Sequence, residues 1–206
     1  MAAKSDNRRM WERLAERLEG RLVVLEPLVR AHADGLFAAA RDAEIWRFMP
    51  WNARASQTSF DRWMEDALAR STEGLEAAFA IITKATGAPI GSTRYLALRP
   101  EHRGLEIGWT WIAQEAWGTG VNVEAKYLLL RHAFEELDCL RVEFKTDARN
   151  ERARAALEAL PARFEGIFRK HMVVRGGELR DSAWYAITDD EWPAAKANLE
   201  QRLSER

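Results

Sequence analysis

The chemically richest run in the chain is Trp117-Gly118-Thr119-Gly120-Val121-Asn122-Val123-Glu124-Ala125-Lys126. Gly118 and Gly120 can take positive φ and let a ligand approach the backbone closely. The first turn of a helix beginning there would add unpaired N–H groups and the positive end of its dipole. A pyrophosphate would fit without a lysine. Gly-x-Gly before a helix is more often a plain tight turn, so the flanking elements must decide. Other reactive residue types offer less. Cys139 is the single cysteine and sits where a helix pattern gives way to a strand, which favours a buried structural thiol over a nucleophile. His32, His102, His132 and His171 lack paired ligand spacing, so no metal site is expected.

The flanks of the glycine run are regular. Leu105, Ile107, Trp109 and Trp111 alternate as in a strand, and Val123, Tyr127, Leu130, Phe134 and Leu137 recur at helical spacing, with Glu124, Lys126, Arg131 and Glu135 away from that stripe. Around them the patterns predict a short charged helix at 6–18, a strand at 22–25, helices at 31–41 and 59–69, and a hairpin of strands 77–83 and 89–98. Strands at 104–113 and 140–146, a helix at 150–160, a hairpin of 164–175 with 182–188, and a last helix after Asp189-Asp190-Glu191 complete the order. With 206 residues, the expectation is a single α/β domain over 1–206, with a helical extension at 1–20 and a C-terminal helix at 189–206. Lysine plus arginine number 31 against 32 acidic residues, so there is no basic field for nucleic acid; no apolar run approaches a membrane span, and the cysteine usage suits the cytoplasm.

Several ordered segments together resemble the GNAT superfamily of N-acetyltransferases, most nearly its ribosomal-protein-alanine (RimJ/RimL-like) branch. They are 22–28, Gly91-Ser92-Thr93-Arg94-Tyr95-Leu96, Glu106-Ile107-Gly108-Trp109, the run 117–126, Asn150-Glu151-Arg152 and Phe164-Glu165-Gly166. The resemblance implies a GNAT fold. That is a mixed, mostly antiparallel twisted sheet of about seven strands, helices on both faces, and a V-shaped splay between two central parallel strands, here 106–112 and 140–146. It also implies acetyl-CoA as the cofactor, held by Trp109, Thr110, Trp111, Ile112, Trp117, Gly118, Thr119, Gly120, Val121, Asn122 and Asn150. The family loop reads Gln or Arg, two variable residues, Gly, one variable residue, then Gly or Ala; Gly120 matches and Asn122 departs.

Acetyl transfer to an amine asks for a base, donors to the developing oxyanion, and a proton for the departing thiolate. The resemblance makes Glu106 the base, although an ion-pairing strand carboxylate is an equal reading, and it assigns backbone N–H groups near Thr110 to Ile112 to the oxyanion. Relatives commonly carry an acid at positions occupied here by Ala153 and Leu157, leaving Tyr185 as a conceivable substitute. Trp46, Phe48 and Trp51 form either core or the wall of an acceptor pocket. The expected function is acetyl transfer from acetyl-CoA to a primary amine by direct attack. The alternative is a catalytically weak or inactive GNAT-like domain that binds acyl-CoA or another ligand as sensor or scaffold. Expected partners are acyl-CoA, an amine acceptor and, as the resemblance implies, a second copy as homodimer, with no nucleic acid and no membrane.

Overall fold

The computed structural model of the chain describes residues 11–205. One eight-stranded sheet runs β1-β2-β3-β4-β5-β6-β8-β7, numbered in chain order. The strands are β1 (Leu18–Glu19), β2 (Val23–Pro27), β3 (Ala77–Thr83), β4 (Pro89–Arg99), β5 (Gly104–Ile112), β6 (Arg141–Asp147), β7 (Arg163–Val173) and β8 (Leu179–Thr188). All neighbours pair antiparallel except β5 and β6. The helices are α1 (Ala33–Ala39), α2 (Ala43–Trp46), α3 (Gln57–Thr72), α4 (Val121–Arg131), α5 (Glu151–Glu158) and α6 (Trp192–Ser204).

Strand alternation sends two apolar sets to opposite faces. On one face Leu25, Phe79, Tyr95, Leu105, Phe144 and Tyr185 pack with α4, α5 and α6. On the other, Ala78, Ala80 and Trp111 pack with α1 to α3 through Leu36, Trp46, Phe60 and Trp63.

The helix expected at 6–18 is not what forms. Residues 6–10 lie outside the described residues; beyond them Trp11–Arg13 is a single 3-10 turn and Leu18–Glu19 pairs with β2. Edge pairing with β2 and burial of Leu14 and Leu18 override the local helical charge pattern there. The polar face expected on α4 also fails. Glu124 and Lys126 are buried, whereas Val123 and Tyr127 are only half-buried. Glu124 turns inward because its carboxylate accepts the backbone N–H groups of Arg21, Leu22 and Val23 at 2.9, 2.6 and 2.8 Å, so that it caps the approach to β2.

Candidate active site

The cleft begins where β5 and β6 part. They are paired only at Gly104 with Arg141, Leu105 with Val142, and Glu106 with Glu143. Beyond Glu106 the strands diverge. A bulge in β5 helps: the register with β4 shifts between Ser92 and Arg94, and Trp109 takes φ 50°. A cavity of about 700 Å³ fills the gap and reaches from Asn122 and Trp117 past Thr110 and Phe144 to Phe48, Met172 and Arg180. A larger hollow of about 840 Å³ lies outside the loop, where Thr119 and Val121 face it. Its one carboxylate, Glu115, is exposed, whereas the cleft holds the buried Glu106.

At one end of the cleft, Gly120 stands at the amino end of α4 with φ 93° and no side chain caps the helix. The first bond of that turn runs from Glu124 N–H to the Gly120 carbonyl at 2.9 Å, which leaves the earlier N–H groups of α4 unused by the helix itself. Gly118 also has positive φ, 78°. Arg152, from α5, lies 3.4 Å above the Trp117 ring, and the Trp117 indole N–H donates to the Ile112 carbonyl at 2.9 Å. Arg152 belongs to the Asn150-Glu151-Arg152 segment already noted in the sequence. Asn150 is the N-cap of α5: its side-chain oxygen accepts the Ala153 N–H at 3.1 Å, and the residue lines the cleft.

At the apex sits Glu106, 2% exposed, accepting from Lys145 Nζ at 2.8 Å. Burial pushes the Glu106 carboxyl up, and the charge and hydrogen bond of Lys145 pull it only part of the way back. Gly108 leaves room for this group, since a Cβ there would come within 2.8 Å of Glu106 Oε1. Across the gap Lys126, from α4, donates to Thr110 Oγ1 at 2.6 Å and lies 5.6 Å from the Phe144 ring. Thr110 in turn shares a 2.8 Å hydrogen bond with Thr93. Burial drives the Lys126 ammonium down to about 7, with Glu106 opposing weakly. Lys126 carried no signal in the sequence, because a lysine between helix-stripe residues reads as solvent-facing.

The remaining expected residues divide. Phe48 lines the cleft, as do Trp109, Thr110, Trp111 and Ile112. Trp46 does not: it is 1% exposed, donates to the Ala40 carbonyl at 2.8 Å and packs 5.3 Å from Trp111. Trp51 is half-buried under Arg62 and also lies off the cleft wall. Tyr185 is fully buried on the α5 side, where its hydroxyl takes Arg154 Nε and gives to Glu158 Oε1, each at 3.1 Å; it too is absent from the wall. Burial pushes the Cys139 thiol up to about 12, as fits a structural residue. No group of metal-ligating side chains and no helix long and apolar enough to cross a membrane occurs among the described residues.

Three features of the cleft fit an acyl-CoA. The parted strands present unpaired backbone edges to a pantetheine arm, the start of α4 offers N–H groups to a diphosphate, and Arg152 supplies a cation beside it. The chain matches, over residues 22–163, the family model described as acetyltransferase (GNAT) domain. It is 36% identical over 95 residues to the Bacillus subtilis protein named "Putative ribosomal N-acetyltransferase YdaF", a match that spans 46% of this chain and about half, 51%, of that relative. The crystal structure of a GCN5-related N-acetyltransferase from Brucella melitensis superimposes with TM-score 0.84 at 33% identity, covering 91% of this chain and 85% of that one. Mycobacterium smegmatis RimJ in complex with CoA-disulfide shares the fold, with TM-score 0.75, 24% identity, and coverage of 91% and 95%.

Proposed function

Because the chain belongs to the GNAT acetyltransferase family, we propose that it acts as a single acyltransferase domain moving an acetyl group from acetyl-CoA directly to a primary amine, either a peptide N-terminus or a small amine. The parting of β5 and β6 immediately beyond Glu106 carries this reading, since it sets a buried carboxylate beside a gap that leads to the uncapped start of α4.

Acetyl-CoA, when bound, supplies the activated acyl group. Gly118, Gly120 and Asn122 would hold its phosphates by backbone N–H, with Arg152 neutralising charge; Asn150 and the β5 edge from Trp109 to Ile112 would orient the arm. Glu106, raised by burial, is suited to accept the amine proton, directly or through water. N–H groups of Thr110 to Ile112 would receive the developing negative charge. Tyr185 faces away from the cleft, so the proton for the departing thiolate falls to Lys126, which can release one near neutral pH.

The test is thiol release from acetyl-CoA with a panel of amines and peptide N-termini, slowed in Glu106→Gln. Background release across the panel would refute the enzyme reading. Ala153 and Leu157 at the usual acid positions favour the second reading, an acyl-CoA-binding sensor, which calorimetry would support by tight CoA binding without turnover. Phe164, Ile167, Phe168, Val173 and Leu179, all exposed on β7 and β8, support pairing of two copies, which light scattering would detect. The buried lone cysteine supports a cytoplasmic setting.

A further inference from the structure

At the far end of the cleft from Trp117, β8 carries an arginine with no ion pair among the described residues. Arg180 is 5% exposed and lines the cavity, yet no hydrogen bond or ion pair reaches its guanidinium from the described residues, and its Nε is buried without a partner. The two carboxylates close enough to act on it are already engaged. Asp147 accepts from Arg149 Nε and Nη2 at 2.9 and 2.7 Å, and Glu106 accepts from Lys145 at 2.8 Å. Arg149, which also reaches Glu178 at 2.6 Å, and Lys145 therefore donate hydrogen bonds to both carboxylates, so Arg180 feels their field but bears its burial without a hydrogen-bonded anion. An arginine cannot shed its proton to relieve that cost, as a lysine can.

Arg94 provides the internal contrast. It is just as buried and lines the same cavity, and its Nε and Nη2 also lack hydrogen-bond partners, but Glu76 and Asp66 hold its Nη1 at 2.9 and 3.4 Å, and the Trp63 and Trp109 rings flank it. Arg94 has its ion pair within the fold, and Arg180 has none among the described residues.

The position of Arg180 separates it from the cofactor phosphates. On β8 it alternates with Ser182 and Trp184, and Trp184 pairs with Lys145, so these residues share the sheet face opposite Phe144, Tyr185 and the helix α4. The β7–β8 hairpin closes this end, where Arg175 donates to the Arg47 carbonyl just after α2. A ligand anion here belongs to the acceptor.

We propose that Arg180 is the anion-binding residue of the acceptor site, and that the amine this protein acetylates carries a carboxylate which the guanidinium receives. The proposal rests on the acetyl-transfer reading for the amine and on the structure alone for the anion. The carboxylate can be that of a small amino acid or an acidic side chain next to a peptide N-terminus; both would pair bidentately with the planar guanidinium.

The experiment uses the full chain with CoA present and measures binding by calorimetry, then KM with acetyl-CoA. Probes come in matched pairs: glycine, β-alanine and γ-aminobutyrate, each against its amide, and Ala-Asp-amide against Ala-Asn-amide. At least one acid should bind about tenfold tighter than its neutral partner, and the pair that does so identifies the source. Arg180→Met should raise the KM of that acid toward the value of its partner, and Arg180→Lys should recover part of the difference. Arg180→Met should also fold with an undiminished thermal midpoint, because it removes an unpaired buried cation. Equal binding of acids and amides, a preference that survives in Arg180→Met, or an unfolded Arg180→Met would each overturn the proposal. Preferential acid binding without thiol release would uphold the anion site and refute acetyl transfer; thiol release without acid preference would do the reverse.

Discussion

Replacing Lys126 by methionine should make the protein more stable at pH 6 and less so by comparison as the pH rises. Lys126 is 7% exposed and its ammonium falls from the ordinary 10.5 to about 7. At about 1.4 kcal/mol per pH unit, that gap corresponds to about 5 kcal/mol of unfavourable burial when the group is charged in both states. Below about pH 7 the folded and unfolded chains both carry the proton, and the whole cost is borne. Between about 7 and 10.5 the unfolded chain keeps a proton that the folded chain has lost, so wild-type stability rises with pH over that window. Methionine is close in shape and does not titrate. It gives up the 2.6 Å hydrogen bond to Thr110, worth about 1 kcal/mol, although Thr110 keeps its bond to Thr93. The net advantage of Lys126→Met should therefore be about 3 to 4 kcal/mol at pH 6, declining by about 1.4 kcal/mol per unit above pH 7. Urea unfolding of both proteins from pH 6 to 9.5 reads this difference directly, because groups common to both cancel. A difference independent of pH would show that Lys126 remains charged throughout and would remove it as a proton source. If the transfer reading holds, the stabler variant should also be the slower enzyme.

Lys145→Met removes the cation that holds the Glu106 carboxyl down, so the acid limb of kcat/KM, where the base is lost to protonation, should move to higher pH; a limb that stays in place would detach Glu106 from the rate. Gly120→Ala forces a side chain into φ 93°, which should cost about 1 to 2 kcal/mol in thermal or urea unfolding and weaken CoA binding by calorimetry, whereas unaltered CoA affinity would place the phosphates elsewhere. Glu124→Ala strands three backbone N–H groups ahead of β2, and a loss of about 3 kcal/mol or more is expected in urea unfolding; a loss under 1 kcal/mol would mean that water reaches them.

The elements most legible in the sequence were those whose side-chain period and punctuation agree. Residues 77–83 and 89–98 flank a turn-rich segment and form β3 and β4, and Asn150 announces α5 because its short amide accepts the Ala153 N–H. The glycine loop reads as a strand-to-helix junction, and Gly120 takes the left-handed conformation at the start of α4. The illegible features are those that depend on distant partners. Glu124 looks solvent-facing until the backbone of Arg21 to Val23, about a hundred residues away in sequence, is laid against it. Trp46 and Phe48 belong to the same aromatic run, yet Trp46 ends α2 and enters the core beside Trp111, while Phe48 lies in the turn after it and lines the cleft. Nothing local distinguishes them, because their fate is set by where the short helix stops and how the following turn meets the sheet. Arg180 was invisible for the opposite reason: what defines it is the absence of a partner among the described residues, and sequence spacing cannot reveal an absence.

The two cations that sequence reading missed divide the chemistry of the cleft by what each can do with its charge. A buried lysine can lower its cost by releasing its proton, and Lys126, held between Thr110 and Phe144, does so near neutrality. That makes it serviceable for moving protons and poor at holding an anion constantly over a range of pH. A buried guanidinium retains its charge whatever its surroundings, so Arg180 can hold an anion but cannot exchange a proton. The fold places them accordingly: Lys126 projects from α4 into the splay where a thiol-bearing arm would run, and Arg180 projects from β8 beyond the carboxylate of Glu106, where an acceptor would lie. Exchanging their identities should damage both functions, since arginine at 126 would be a fixed buried charge with one hydroxyl for company, and lysine at 180 could neutralise itself and release the anion. The same unfavourable burial thus serves opposite ends, and the side-chain chemistry at each position decides which.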